Sequence, residues 1–109
     1  MTQFRTPSCL FIGGIAVDVS SIELVGAITI KQDGHMEGKG TVCNLSFRMH
    51  TQNGMRVEWV GETFYAPCDA LRSYPRQSEE YESRLKQAEA ARWQVIAARW
   101  PDGVLEVKP

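Results

Sequence analysis

Between Ile22 and Tyr65 apolar residues recur at every second position, and after Ser73 that rhythm gives way to a helical one from about Arg76 to Trp100. A period of two sends alternate side chains to opposite faces of a strand, whereas a period of 3.6 gathers them along one side of a helix. The pair of rhythms predicts an α+β domain. Its parts are a mostly antiparallel meander of four to five strands, one long C-terminal helix packed on one sheet face, and a short terminal strand at Val104 to Val107. With 109 residues and 43% apolar content, the chain reads as a single domain over 1–109 with one core.

Parity within the alternating run assigns the faces. Ile22, Leu24, Gly26, Ile28 and Ile30 share one side of a strand, as do Cys43, Leu45, Phe47 and Met49 of the next and Met55, Val57, Trp59 and Gly61 of a third. Asn53-Gly54 suggests a two-residue hairpin, but that register would set Met49 against Glu58 and mix the faces. A three-residue loop, Gln52-Asn53-Gly54 with Gly54 left-handed, instead pairs Met49 with Val57, Phe47 with Trp59, Leu45 with Gly61 and Arg48 with Glu58. On the other side the same parity sets Ile28 against Cys43, Gly26 against Leu45 and Leu24 against Phe47, with a turn at Gly34 to Glu37. Leu45 would then lie between two glycines, leaving a trough for the helix to fill. The run Cys9 to Val17 reads as a further strand.

In the helical segment, Glu79, Glu80 and Glu82 crowd the start while Arg92 and Arg99 lie toward the end, as the helix dipole favours. Tyr81, Leu85, Ala88, Val95 and Ile96 form one side, with Trp93 and Trp100 along one margin and Ala91 and Ala98 along the other. Arg92 and Arg99 fall in the middle of that stripe, where a guanidinium without a partner is least expected. Their stems either cross apolar surface to end in water, or they join Trp93 and Trp100 in a partner-facing surface; an anion site is a third reading.

The outer sheet face is the second candidate surface. The inferred register aligns Glu23, Arg48 and Glu58, with Asp18 joining if the preceding strand ends at Val19, beside the apolar residues Val25, Val42, Val60 and Phe64. A half-apolar face asks for a cover, either Leu10 to Ile12 or another copy of the chain.

Other functions find less support. A net charge of −1 with mixed signs carries no footprint for phosphate backbones, and Phe47 and Trp59 are assigned to the core rather than to base stacking, so nucleic acid is not expected. No apolar run approaches the roughly 20 residues of a membrane span. Three cysteines without CxxC spacing, and His35 and His50 away from ligand intervals, predict no metal or other cofactor and a reducing cytoplasm. Cys68 beside Asp69 would need His50 to reach it through the fold, and Glu58 with Glu62 would need a shared pocket, so catalysis is not expected. Gly34, Gly38 and Gly40 precede no helix and make no phosphate loop.

The stretch Gly40-Thr41-Val42-Cys43-Asn44-Leu45-Ser46 resembles the Asn-x-Ser segment of PilZ domains, which bind a cyclic dinucleotide on a small β-barrel with a C-terminal helix. The resemblance stops there: Arg5 stands alone where that family has paired arginines, and no glycine follows three after Ser46, so neither ligand nor sites carry over. The expected role is a noncatalytic protein–protein interaction module, a homodimeric accessory regulator or inhibitor. The alternative is a small-molecule binder using the trough lined by Leu45, Trp59 and Trp93.

Overall fold

The structure, a computed structural model, describes residues 9–12 and 14–103. The fold is α+β: an antiparallel five-stranded sheet, a separate hairpin and one long C-terminal helix on the sheet. The expected terminal strand at 104–107 lies outside the described residues.

The run expected as one strand from Cys9 is the hairpin, β1 (Cys9–Ile12) and β2 (Ile15–Asp18), with Ile12 opposite Ile15. Between them Gly14 takes φ 79°, a conformation that favours glycine. Asp18 then turns the chain instead of joining the outer face: its carboxylate accepts from the backbone N–H and hydroxyl of Ser20.

In the sheet, β5 (Gly40–Thr51) is the spine. Along one side lie β3 (Ile22–Val25) and β4 (Thr29–Met36), which pair with its far and near halves; along the other lie β6 (Arg56–Val60) and β7 (Phe64–Ala66). The β5–β6 register is the expected one: Met49 faces Val57, Phe47 faces Trp59, Arg48 faces Glu58, and the Gly61 N–H donates to the Leu45 carbonyl at 2.8 Å. Gly54 closes the loop at φ 82°, a conformation that a residue with a Cβ seldom adopts.

The other side departs from the expectation. Ile30, not Gly26, faces Leu45; the turn lies at Glu37 to Lys39, and irregularities interrupt the ladder between Ile22 and Leu24 and between Gln32 and His35. The strand expected from Ile22 to Ile30 breaks at 26–28. There Gly26 donates to the Arg48 carbonyl at 2.7 Å, and an added Cβ would lie 3.2 Å from that oxygen. Two phases of alternation are therefore spliced: Ile22, Val25, Ile28 and Ile30 contribute to the core, and Leu24 turns out to solvent. Val25 is thus not an outer-face residue. Phe64 is not one either, for it is 0% exposed and faces Cys43 in the core.

The helix α1 (Tyr81–Arg99) follows a short 3-10 turn at Pro75–Gln77 and ends before Pro101-Asp102-Gly103, where the Trp100 N–H returns to the Ile96 carbonyl at 2.8 Å. Ala88 packs with Cys43, Leu45, Phe64 and Ala66, and Val95 with Ile12, Val17, Ile22, Phe47, Met49 and Val57. The helix thus runs in the same sense as β5 across one sheet face. The hairpin packs on that inner face too, through Ile12 and Val17, and not on the outer one.

Candidate functional site

The two arginines at the centre of the helical stripe face the sheet edge. Arg92 Nε donates to the Gly26 carbonyl at 2.8 Å and Arg99 Nε to the Ile22 carbonyl at 2.7 Å. These carbonyls lie on β3 and its continuation, which pair with β5 on their other side. An edge strand presents unpaired backbone groups, and a charged donor both satisfies and masks them. The stripe therefore tolerates guanidinium groups because β3 supplies acceptors there. Arg99 also lies over the Trp100 ring, 5.1 Å from its centre. Trp93 is 62% exposed on the helix side away from these contacts.

The structure keeps Val42, Val60 and Arg48 on the outer face, with Val60 opposite Ser46 and Val42 four positions earlier on β5, and removes Val25 and Phe64 to the core. Glu23, displaced by the irregularity beside it, does not join Arg48 and Glu58. Lys31 does: its Nζ meets Glu58 Oε1 at 2.5 Å while Arg48 Nε meets Oε2 at 3.3 Å. Lys31 is paired with Asn44 and Glu58 with Arg48, so the bridge crosses β5 above Ser46, which is fully buried. One acid held by two bases stands where Glu23, Arg48 and Glu58 were expected to align. Lys31 was missed because its proximity depends on the register of β4, which the break at 26–28 shifts.

The Lys31 hydrogen bond, assisted by Arg48, draws the Glu58 carboxyl below its ordinary value of 4.5. A depressed carboxyl stabilises the fold in full above its ordinary value, and the contribution is lost as pH falls through the lower folded value. Glu58→Gln should therefore melt below wild type at neutral pH, with the gap closing as pH is taken well below 4.5. Melting curves across that range check it, and a gap that does not depend on pH would contradict it.

The interior trough is filled. The Trp59 indole stacks on Phe47 with ring centres 5.3 Å apart and lies over Gly61, whose added Cβ would be 3.1 Å from it. Leu45 is 1% exposed while Trp93 is 62% exposed, so the two do not line a shared open trough. An open groove of about 460 Å³ is found instead at the sheet edge, where Leu24, Val25, Ile96 and Trp100 meet under Glu23 and Arg92.

The side chains weighed for catalysis do not converge. The Cys68 strand segment bridges to Ser73, whose hydroxyl bonds Thr41 at one end of β5. His50 stands nine residues further along β5, about 30 Å at strand rise, and so cannot serve as base to Cys68. Glu62 pairs with Arg84 at 3.5 Å while Glu58 is held by Lys31 and Arg48, so the two carboxylates share no proton site. Among the described residues no group of three or more His, Cys, Asp or Glu is placed to hold a metal.

The loop between β7 and the helix carries a further feature without a sequence signal. Asp69 accepts from the backbone N–H groups of Leu71 and Arg72 and from the Tyr74 hydroxyl at 3.0–3.3 Å, and the tyrosine bond is the largest cause of its lowered pKa. This holds Leu71 out at 96% exposure. Compared with protein-family models, curated proteins and solved structures, the chain has no significant match in any of the three.

Proposed function

We infer that the protein is a noncatalytic protein–protein interaction module that works through the outer face of its sheet, as a homodimeric accessory regulator or inhibitor. The observation carrying this reading is the asymmetry of the sheet. Hairpin and helix both pack on the inner face, while the outer face keeps Val60 47% exposed two residues along β6 from Glu58 of the Lys31–Glu58–Arg48 bridge. An exposed apolar residue bordered by charged groups suits a protein interface. Free thiols at Cys9, Cys43 and Cys68 fit a reducing cytoplasm as its setting.

The test is light scattering after size exclusion over a concentration series, with wild type and Val60→Lys. The side chain is half in water and touches no core cluster, so the variant should melt within about 0.5 kcal/mol of wild type. Association through this face should weaken by tenfold or more. A folded Val60→Lys that associates as wild type does would remove this face from the reading.

The small-molecule alternative rests on the edge groove, whose volume of about 460 Å³ falls within the size of ligand sites. A small compound that raises the melting midpoint of wild type but not of Leu24→Arg would favour it.

A further inference from the structure

The outer sheet face is not charged like the chain as a whole. The sequence sums to −1, yet where β5 and β6 run together this face gathers Arg48, His50 and Arg56. Their neighbours Met49 and Val57 are buried on the inner side, so alternation turns all three outward. His50 stands directly opposite Arg56, and Arg48 lies diagonal to it. Opposite side chains on a sheet are about 4.5–5.5 Å apart at Cβ and diagonal ones about 7–8 Å, so the three make one basic corner.

The acid beside that corner is already engaged. Glu58 gives one carboxylate oxygen to Lys31 and the other to Arg48, which uses only its Nε for the bond. Among the described residues, the side chains of His50 and Arg56 and the terminal nitrogens of Arg48 have no hydrogen-bond or ion-pair partner. On the other side of β5 the corner opens into a groove of about 370 Å³, lined by Leu24, Gly26, Ala27, Thr29, Arg48 and His50. None of these residues is acidic, so the groove offers an anion room without a competing carboxylate.

This arrangement bears on self-association. In a two-fold contact the same patch serves both copies, so the corner meets either its own equivalent or the adjoining Lys31–Glu58–Arg48 bridge. Both are net positive, and like charges brought together oppose association. A doubly charged oxyanion reverses that sign, because guanidinium groups pair with its oxygens through parallel hydrogen bonds.

We propose that Arg48, His50 and Arg56 form a site for a multiply charged oxyanion of the phosphate or sulfate type, and that this ion controls the pairing of two copies through the outer sheet face. The proposal rests on the outer-face reading and deepens it by naming what regulates the contact.

The experiment is light scattering over a concentration series in chloride and in inorganic phosphate at equal ionic strength. It compares wild type, the double variant His50→Gln with Arg56→Gln, and Val60→Lys. Arg48 is left in place because its loss would also strip Glu58 of a partner. Phosphate should tighten the wild-type dimer by about tenfold or more, within the usual range for one ligand's effect on the binding of another. The double variant has no side-chain bond to lose, so it should keep the wild-type melting midpoint in chloride, and its association should not respond to phosphate. Val60→Lys should weaken the dimer in both salts.

A wild-type dimer that is equally tight in both salts and is broken by Val60→Lys overturns the anion site while leaving the outer-face reading standing. So does a double variant that responds to phosphate as wild type does, since phosphate also strengthens apolar burial without any site. A wild type that stays monomeric in both salts overturns the proposal together with the reading beneath it.

Discussion

Phe64→Ala should lower the free energy of unfolding by about 3–5 kcal/mol, the range for truncating a phenylalanine in a packed core. The ring is fully buried among Cys43, Leu45, Ala66 and Ala88, and Tyr81 meets it edge-on with centres 6.2 Å apart. The helix contributes Ala88 and Tyr81 to this contact, so the loss would loosen its first half from the sheet. Against a total of about 5–15 kcal/mol for a domain, such a loss is large. On the outer face, where simple alternation from Val57 and Trp59 would put it, the same truncation would change stability by about 0.5 kcal/mol or less. Urea unfolding separates the two, and a loss below about 1 kcal/mol would contradict the core placement. The shift of phase has a visible cause. Between β6 and β7 the chain leaves the ladder, and Asn44 Nδ2 bridges the gap by donating to the Gly61 carbonyl at 2.9 Å and the Thr63 hydroxyl at 3.1 Å. When pairing resumes at Phe64, the inward parity has changed from odd to even.

Arg92→Ala with Arg99→Ala should destabilise the domain by about 2–4 kcal/mol, since a hydrogen bond from a charged donor contributes about 1.5–3 kcal/mol and these groups are partly exposed. The carbonyls of Ile22 and Gly26 would lose their donors, and the β3 edge would become available to other strands. The double variant should therefore also aggregate at lower temperature than wild type. Were the arginines free to face a partner, stability would hardly change and only association would suffer. Thermal unfolding together with turbidity distinguishes these outcomes. A variant as stable as wild type would show that water replaces the guanidinium groups at no loss.

The inner face of β5 and its register with β6 were legible in the sequence. Cys43, Leu45, Phe47 and Met49 run through a continuous strand, and the loop at Gly54 permits one pairing that keeps apolar residues together. The helix was legible for the same reason, since Ala88, Val95 and Ile96 repeat within one unbroken element. Of the candidate residues, Val42, Val60 and Arg48 keep their expected face, while Val25 and Phe64 do not.

The failures fall at breaks in the chain. Periodicity reports a face only while the backbone stays in one regular conformation. An extra residue near Glu23, the close approach of Gly26 to Arg48, and the gap from Gly61 to Thr63 each reset it. Those resets are imposed by the neighbouring strand and by Asn44, so they belong to the tertiary structure. The same holds for Arg92 and Arg99. Their place on the helix follows from their spacing alone, but the acceptors that make that place stable are carbonyls 66 and 77 residues away, brought there by the packing of the helix against the edge. Local alternation determined the elements and most of the core, because a repeating backbone carries its own geometry. Which phase each strand resumes after a break, and what a half-buried charge meets, only the tertiary structure decided, because both depend on groups distant in the chain.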